Sequence, residues 1–411
     1  MSQTATTAAA ILRTQYTKDR VYWLSYDNNP EIATVDRHED FGGDFYMVPV
    51  QTETPQGGSA GGFTQAQTNE APSVFKRFQL TRKNDYAVAR IDGEAWMAAQ
   101  ANTYALVELF TREVDGAIHT NKRSLAISFF RDGTGARGII ASAINADPIT
   151  LSAQSDITNF ALSMPLQAAT GGAGGALRSA GATAVITKID RLNGLLYFGA
   201  ALNTFIAAVA NGDALVRAGD NNNVMIGMSG WVPGANVTNT LFNFLDRSVD
   251  PVRLAGQFYN AQGQSIRAAL IEMIARVDVE GGDADHVWLH RRDQSLLVQE
   301  MEGKSYYQKS VEVPVPGSDQ TIGFDVLEAE FDGHKVRIMG TINVPRGHCY
   351  VGEWETVNMY TLGMAPQIID YDDLEALRVF NADSFEIRIV SRGDFGVKAP
   401  GYWCHGINLG T

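Results

Sequence analysis

The run Phe45-Tyr46-Met47-Val48-Pro49-Val50-Gln51-Thr52 is answered, beyond the tip Gly57-Gly58-Ser59-Ala60-Gly61-Gly62, by Ser73-Val74-Phe75-Lys76-Arg77-Phe78-Gln79-Leu80-Thr81-Arg82-Lys83. Both runs are rich in aromatic and β-branched residues between turn formers, which predicts two paired strands. The return carries four cations, Lys76, Arg77, Arg82 and Lys83, and almost no acid. From Gly93 to Phe130 there is no proline, and Met97, Tyr104, Val107, Phe110, Val114, Ala117 and Leu125 recur at three- and four-residue steps. That spacing predicts one long helix, with Asp92 placed to cap it and Asp132-Gly133-Thr134-Gly135 to end it. Gly116 in its middle costs about 1 kcal/mol against alanine and allows a kink. A hairpin this long with a bare tip has little core of its own, which predicts that it lies on a second molecule.

The 411 residues suffice for two compact modules or one large elaborated domain, and 40 glycines point to loops and sheet over a helical bundle. A formal charge of −13 argues against a free-standing nucleic-acid binder. It suits a highly soluble protein, or one kept from touching a polyanion it encloses. Cys349 and Cys404 are too few for a disulfide framework or a zinc knuckle, and both read as buried reduced thiols. No stretch reaches the length of a membrane span, and the first residues lack the basic start and apolar core of a signal peptide, so neither an anchor nor export by that route is expected. Residues 1–43 read as a polar arm laid over a partner, with disorder as the alternative for the first twenty.

Further on, Arg137–Ala146 reads as a strand and Ser155–Met164 as a short helix capped by Ser155. Thr170-Gly171-Gly172-Ala173-Gly174-Gly175 reads as loop, and Met225–Pro233 as loop around a short strand. Pro251 opens a helix, and Ser265–Val277 is a second, with Ile266, Leu270, Met273, Ile274 and Val277 on one face. Asp285–Leu289 is an apolar strand, followed by a helix over Arg292–Met301 capped by Asp293. Thr321–Phe331 and His334–Ile342 flank the hairpin turn Asp332-Gly333, and Cys349–Gly352 is a strand. Asp383–Val390 alternates like a half-buried strand, Arg392-Gly393-Asp394-Phe395-Gly396 reads as a turn, and Pro400–Leu409 as the last strand.

Chemistry is hard to find. His286 and His290 bracket an apolar strand with no carboxylate placed to complete a metal site. Gly133-Thr134-Gly135-Ala136-Arg137-Gly138 lacks the Lys-Ser/Thr ending of a phosphate loop and follows a helix instead of opening one. Gly227-Met228-Ser229-Gly230-Trp231 has Trp231 where a nucleophile elbow needs glycine. The acidic cluster Asp370, Asp372, Asp373 and Glu375 misses the calcium-loop spacing and reads as a solvated helix start. No catalytic, cofactor or metal residue is assigned, and the chain is not expected to be an enzyme.

The order of parts, with Phe380-Asn381-Ala382-Asp383-Ser384-Phe385-Glu386-Ile387-Arg388-Ile389, Ala399-Pro400-Gly401-Tyr402 and Asn343-Val344-Pro345-Arg346-Gly347, resembles the major capsid proteins of tailed bacteriophages over essentially the whole chain. The resemblance implies the α+β HK97-like capsid fold. It makes 1–43 the N-terminal arm, 44–90 the E-loop hairpin, 91–180 the peripheral domain with its spine helix, 181–345 mainly the axial domain, and 346–411 the return to peripheral strands. The function implied is a self-assembling icosahedral head shell of hexamers and pentamers around double-stranded DNA, found in the virion and assembled in the host cytoplasm. The DNA is enclosed without sequence-specific binding. Since no long charged segment precedes the arm, the resemblance implies either a separate scaffolding protein or a scaffolding segment cleaved before the numbering begins. A portal, with or without a decoration protein, is a further implied partner, and no Lys–Asn cross-link is implied. Lys76, Arg77, Arg82 and Lys83 are then candidates to lie on a neighbour's acidic strip of Asp370, Asp372, Asp373 and Glu375. The alternatives are an encapsulin-type compartment shell and a soluble enzyme or binding protein with a mixed sheet.

Overall fold

A computed structural model describes residues 29–93, 103–142, 144–172, 174–237, 241–301, 307–314, 321–331, 333–370 and 377–410. In chain order, the elements that position the candidate site are β1 (Phe45–Glu53), α1 (Phe63–Thr68), β2 (Val74–Thr81), β3 (Lys83–Asp92), α2 (Thr103–Phe129), β4 (Ala136–Ser142), β5 (Ala214–Arg217), α3 (Ile266–Val279), β6 (His286–His290), α4 (Arg291–Glu300), β7 (Ser384–Val397) and β8 (Trp403–Ile407). The architecture is α+β, as expected. An extended hairpin, β1–β2, forms a two-stranded sheet of its own and is followed by the long helix α2.

Three larger sheets surround α2. The first is organised on the 14-residue β7, which pairs with β3 from Ser384 to Gly393. Because β3 occupies that edge, the opposite edge must take Leu377–Arg378, Gln367–Ile368 and Val357–Thr361 in succession. The second is a fully antiparallel seven-stranded sheet between Ala136 and Arg217, with β4 and β5 as neighbours near its centre. The third, also seven-stranded, mixes parallel and antiparallel pairs and contains β6, β8 and Cys349–Gly352.

Strand alternation explains how the third sheet joins the rest. Val287, Leu289, Cys349, Val351 and Cys404 point to one face, where they pack on Ile266, Leu270, Met273, Ile274 and Val277 of α3. Trp288, Tyr350 and Trp403 sit between them in sequence and so point the other way. There they meet Leu125 and Phe129 of α2 with the adjoining Phe130, then Phe395 and Val397 of β7, and Val48, Phe78 and Leu80 from the hairpin. This aromatic core lies where α2, two sheets and the hairpin base converge. Cys349 and Cys404 are both buried and free, and burial pushes both thiols up.

Several local expectations hold. The helix expected over Ser265–Val277 is α3, where the Ser265 hydroxyl accepts from the amide of Ala268 at 3.2 Å, and the helix expected from Pro251 is present, with Asp250 at its cap. Val114, Ala117 and Leu125 of the predicted stripe are buried. Met97 and the Asp92–Glu94 cap involve residues outside those described, as do the side chains of Tyr104, Val107 and Phe110.

Others are corrected. The return does not end at Lys83. It bends into β3, a separate strand whose inward positions are Ala87, Ala89 and Ile91. The Ser155–Met164 helix shrinks to a 3-10 segment, Gln154–Asn159, and Met228–Trp231 is a helical turn. Asp293 does not cap α4: His290 does, its Nδ1 accepting from the Arg292 amide at 3.2 Å, while buried Asp293 accepts from the Gly347 amide at 2.8 Å. The Arg392–Gly396 turn is strand interior, part of β7. Its glycines serve close packing: a Cβ on Gly393 would lie 2.2 Å from the Tyr360 carbonyl oxygen, and one on Gly396 would lie 2.6 Å from the Tyr360 ring. Pro165–Ala169 also pairs with Ala184–Val185 across position 180, and Cys349–Gly352 and β8 belong to the third sheet.

Candidate assembly surface

The hairpin is built so that one face serves this chain. In β1, Val48 is buried and Tyr46 and Val50 pack against the aromatic core. Tyr46 lies 4.2 Å from the ring of Tyr360, and Phe78 of β2 meets Trp231 edge-on at 5.0 Å. The expectation that the hairpin lacks a core of its own is therefore corrected at its base.

The other face is different. Register places Phe45 opposite Thr81, Met47 opposite Gln79, Pro49 opposite Arg77 and Gln51 opposite Phe75. Phe45 is 47% exposed, Met47 36% and Phe75 69%. Beyond them, α1 has no buried residue and presents Phe63 at 78% exposure. The tip is closed on itself, with the Asn69 side-chain amide donating to the Gly58 carbonyl at 3.0 Å and the Gln56 backbone N–H to the Ala71 carbonyl at 3.2 Å. A strand that is apolar at six consecutive positions, Phe45 to Val50, is the kind covered on both faces. Here the even-numbered face is covered, while on the other face Met47 and Phe75 stay exposed and Phe45 meets the exposed ring of Phe244 edge-on at 6.4 Å. That run was the signal for Phe45 and Met47.

The four cations separate. Arg82 donates to the carbonyls of Phe41 at 3.1 Å and Gly43 at 3.2 Å, and Lys83 donates to the Asn222 carbonyl at 3.1 Å. Both therefore fasten the hairpin base to its own subunit. Lys76 is half-buried on the inward face; the Asp246 carboxyl, held below the ordinary range by Ser248 hydrogen bonds, is lowered further by the Lys76 charge. Arg77 is exposed on the outward face. Asp370 is exposed, while Asp372, Asp373 and Glu375 lie outside the described residues.

Behind the hairpin the body is braced by buried polar contacts. Asn121 of α2 donates to the Asp85 carbonyl at 3.1 Å and accepts from the Ser391 hydroxyl at 2.6 Å, joining the helix to β3 and β7. Arg217 of β5 pairs with Asp85 at 2.7 Å and Asp220 at 2.8 Å. Asp394 is fully buried in β7, accepting from the amides of Ile226 at 2.7 Å and Phe395 at 2.9 Å. Burial pushes its carboxyl up to about 8, against those hydrogen bonds and the charge of Lys83.

Asp394 yields a pH prediction. A carboxyl with a folded pKa above its unfolded value binds more protons when folded. Its contribution is complete below about pH 4 and is lost as pH rises toward 8, at up to about 1.4 kcal/mol per pH unit. Asp394→Asn keeps the acceptor oxygen without the charge. Urea unfolding between pH 5 and 8 should then show a shallower decline for the variant than for the parent.

The residues considered for chemistry are structural. The Ser229 hydroxyl donates to the Phe130 carbonyl at 2.9 Å and lies 2.6 Å from the Tyr350 hydroxyl. Gly133 and Gly135, at φ of 85° and 83°, form the turn after α2. His286 and His290 are buried in β6. Among the described residues no group of three or more His, Cys, Asp or Glu is placed to hold a metal, and no helix is long and apolar enough to cross a membrane.

No protein-family model matches the chain, and no curated protein is detectably similar to it in sequence. Among solved structures it is similar to the capsid asymmetric unit of cyanophage A-1(L), at 8% identity over 99% of this chain and 97% of that one, with a TM-score of 0.49. It is also similar to the capsid of a native GTA particle, at 10% identity over 100% and 95%, TM-score 0.45. A third similarity is to the SrpI encapsulin complex of Synechococcus elongatus, at 9% identity over 99% and 92%, TM-score 0.45.

Proposed function

We propose that this chain is the major capsid protein of a tailed phage, a subunit that assembles with copies of itself into a closed HK97-like shell around double-stranded DNA. The observation that carries the reading is the hairpin: anchored at its base on the subunit's own aromatic core, it holds Met47 and Phe75 outward and exposed, beside Phe45, which meets the exposed ring of Phe244 edge-on at 6.4 Å. An exposed apolar face on a rigid ribbon is an interaction surface, and repetition of one such contact by identical subunits builds a closed assembly. Hexamers and pentamers, a separate scaffolding protein, a portal and a decoration protein, and assembly in a host cytoplasm belong to the same reading. The net charge of −13 suits a wall that holds DNA without gluing to it. Negative-stain microscopy of the expressed chain tests the reading: closed shells support it, and a monomer at high concentration under every assembly condition contradicts it.

Within this reading, the outward cation Arg77 pairs with acid on the neighbour, with Asp370 as the described candidate. Arg77→Glu should slow assembly and make the rate less sensitive to salt, while leaving the melting temperature unchanged, because Arg77 is exposed. Light scattering during assembly at two salt concentrations measures this. An unchanged rate would remove the pairing while leaving the apolar contact standing.

A further inference from the structure

A cavity of about 350 Å³ opens beside α2, where the helix meets the second sheet. Four arginines line it, Arg123, Arg137, Arg191 and Arg217, and Phe160, Met164 and Ile342 form an apolar wall. The arginines come from four separate segments, so the fold assembles the cluster.

Two of the four are neutralised. Arg217 pairs with Asp85 and Asp220, and Arg137 lies 3.5 Å from Asp220. The other two are not. Arg123 donates to the Thr158 carbonyl, and Arg191 donates to the carbonyls of Ile157 at 3.3 Å and Phe160 at 3.2 Å. Among the described residues no carboxylate forms an ion pair with either. They are also close enough to oppose each other: desolvation, and next the charge of Arg191, lowers the Arg123 pKa. Two like charges beside an apolar wall repel more strongly than they would in open water. An anion between them relieves that repulsion, and guanidinium forks match the oxygens of a phosphate in paired hydrogen bonds.

We propose that this cavity binds a phosphate-type oxyanion, held between Arg123 and Arg191, with Arg137 and Arg217 adding positive potential from their salt-bridged positions. The volume lies within the range of small-ligand sites, about 300–1,000 Å³, and the opening leaves two sources, a free phosphate compound or a phosphate of a nucleic-acid backbone. This site is independent of the hairpin contact.

The test uses the full-length chain at constant ionic strength balanced with chloride. Calorimetric titration with inorganic phosphate, with pyrophosphate and with a short single-stranded DNA oligonucleotide should show saturable binding in at least one arm. Saturation by phosphate or pyrophosphate assigns a free compound, and saturation by the oligonucleotide alone assigns the backbone. Arg123→Gln and Arg191→Gln each keep a donor for the carbonyls they hold but remove the charge, and each should weaken binding by at least about tenfold. Because either change can lower the melting temperature by itself, the readout is the ligand-induced shift relative to the same variant without ligand. Lys188→Gln removes a cation outside the cavity and should leave affinity unchanged. Absence of saturable binding in all arms, or affinity undiminished in both arginine variants, would overturn the proposal.

Discussion

Replacing Met47 and Phe75 together by aspartate should leave a folded subunit that no longer assembles. Both side chains project from the outward face of the hairpin, paired across the ribbon with Gln79 and Gln51. Neither belongs to the aromatic core, so the subunit loses little when they become charged. Surface changes of this kind stay within about 0.5 kcal/mol. Covered by a neighbour, the same positions contribute about 1.5–3 kcal/mol each, and a buried, unpaired carboxylate adds a larger desolvation cost. Every subunit makes the contact, so the loss repeats throughout an assembly. Sedimentation velocity should show no large species under conditions where the parent assembles, with circular-dichroism melting within a few degrees of the parent. Normal assembly of the double variant would mean that this face is not an interface. Exchanging residues 54–73 for an Asn-Gly turn separates the tip from the ribbon: α1 buries nothing in the subunit, so folding should persist while assembly fails.

The largest loss of subunit stability is expected from Phe129→Ala. Phe129 is fully buried at the end of α2, with its ring 4.9 Å from Phe130, 5.0 Å from Phe395 and 5.9 Å from Trp354. It therefore ties the helix to β7 and to the third sheet's aromatic face at one point. Truncation removes the ring's transfer free energy and leaves a cavity among aromatic side chains that collapse poorly, at a cost of about 3–5 kcal/mol. Unfolding in urea should show a lower midpoint with an unchanged slope, the product of slope and midpoint change matching that loss. A cost below about 1 kcal/mol would mean that the core around α2 is not continuous.

How much of this was legible before folding differs by element. The hairpin and the long helix announced themselves, because two runs rich in aromatic and β-branched residues on either side of a glycine-rich tip, and a proline-free stretch with a repeating apolar stripe, are local signals. The helix over Ser265–Val277 was legible for the same reason. Strand β3 was not, since Asn84 and Arg90 face outward and its inward positions are Asp85, two alanines and Ile91, which carry little hydrophobic signal. Gly393 and Gly396 were read as turn residues because glycine beside aspartate usually punctuates a chain. Their reason is the Tyr360 backbone and ring, which only the folded sheet brings there. Asp293 satisfied a capping pattern, yet the Gly347 amide claimed it instead. At the candidate site, the basic return strand drew attention while Arg82 and Lys83 turned inward to carbonyls of their own chain. The arginine cavity had no local signature at all, since its four cations are spread from position 123 to 217.

The central claim is that the outward face of β1–β2 is covered by a neighbouring copy of this chain. A cryo-electron microscopy map of the assembled particle tests it most directly. The account predicts density for β1 and β2 lying on an adjacent subunit, with Phe45, Met47 and Phe75 at the contact and Val48 and Phe78 still in their own subunit's core. A particle whose hairpins stand free in solvent, or fold back over their own subunit, would contradict it.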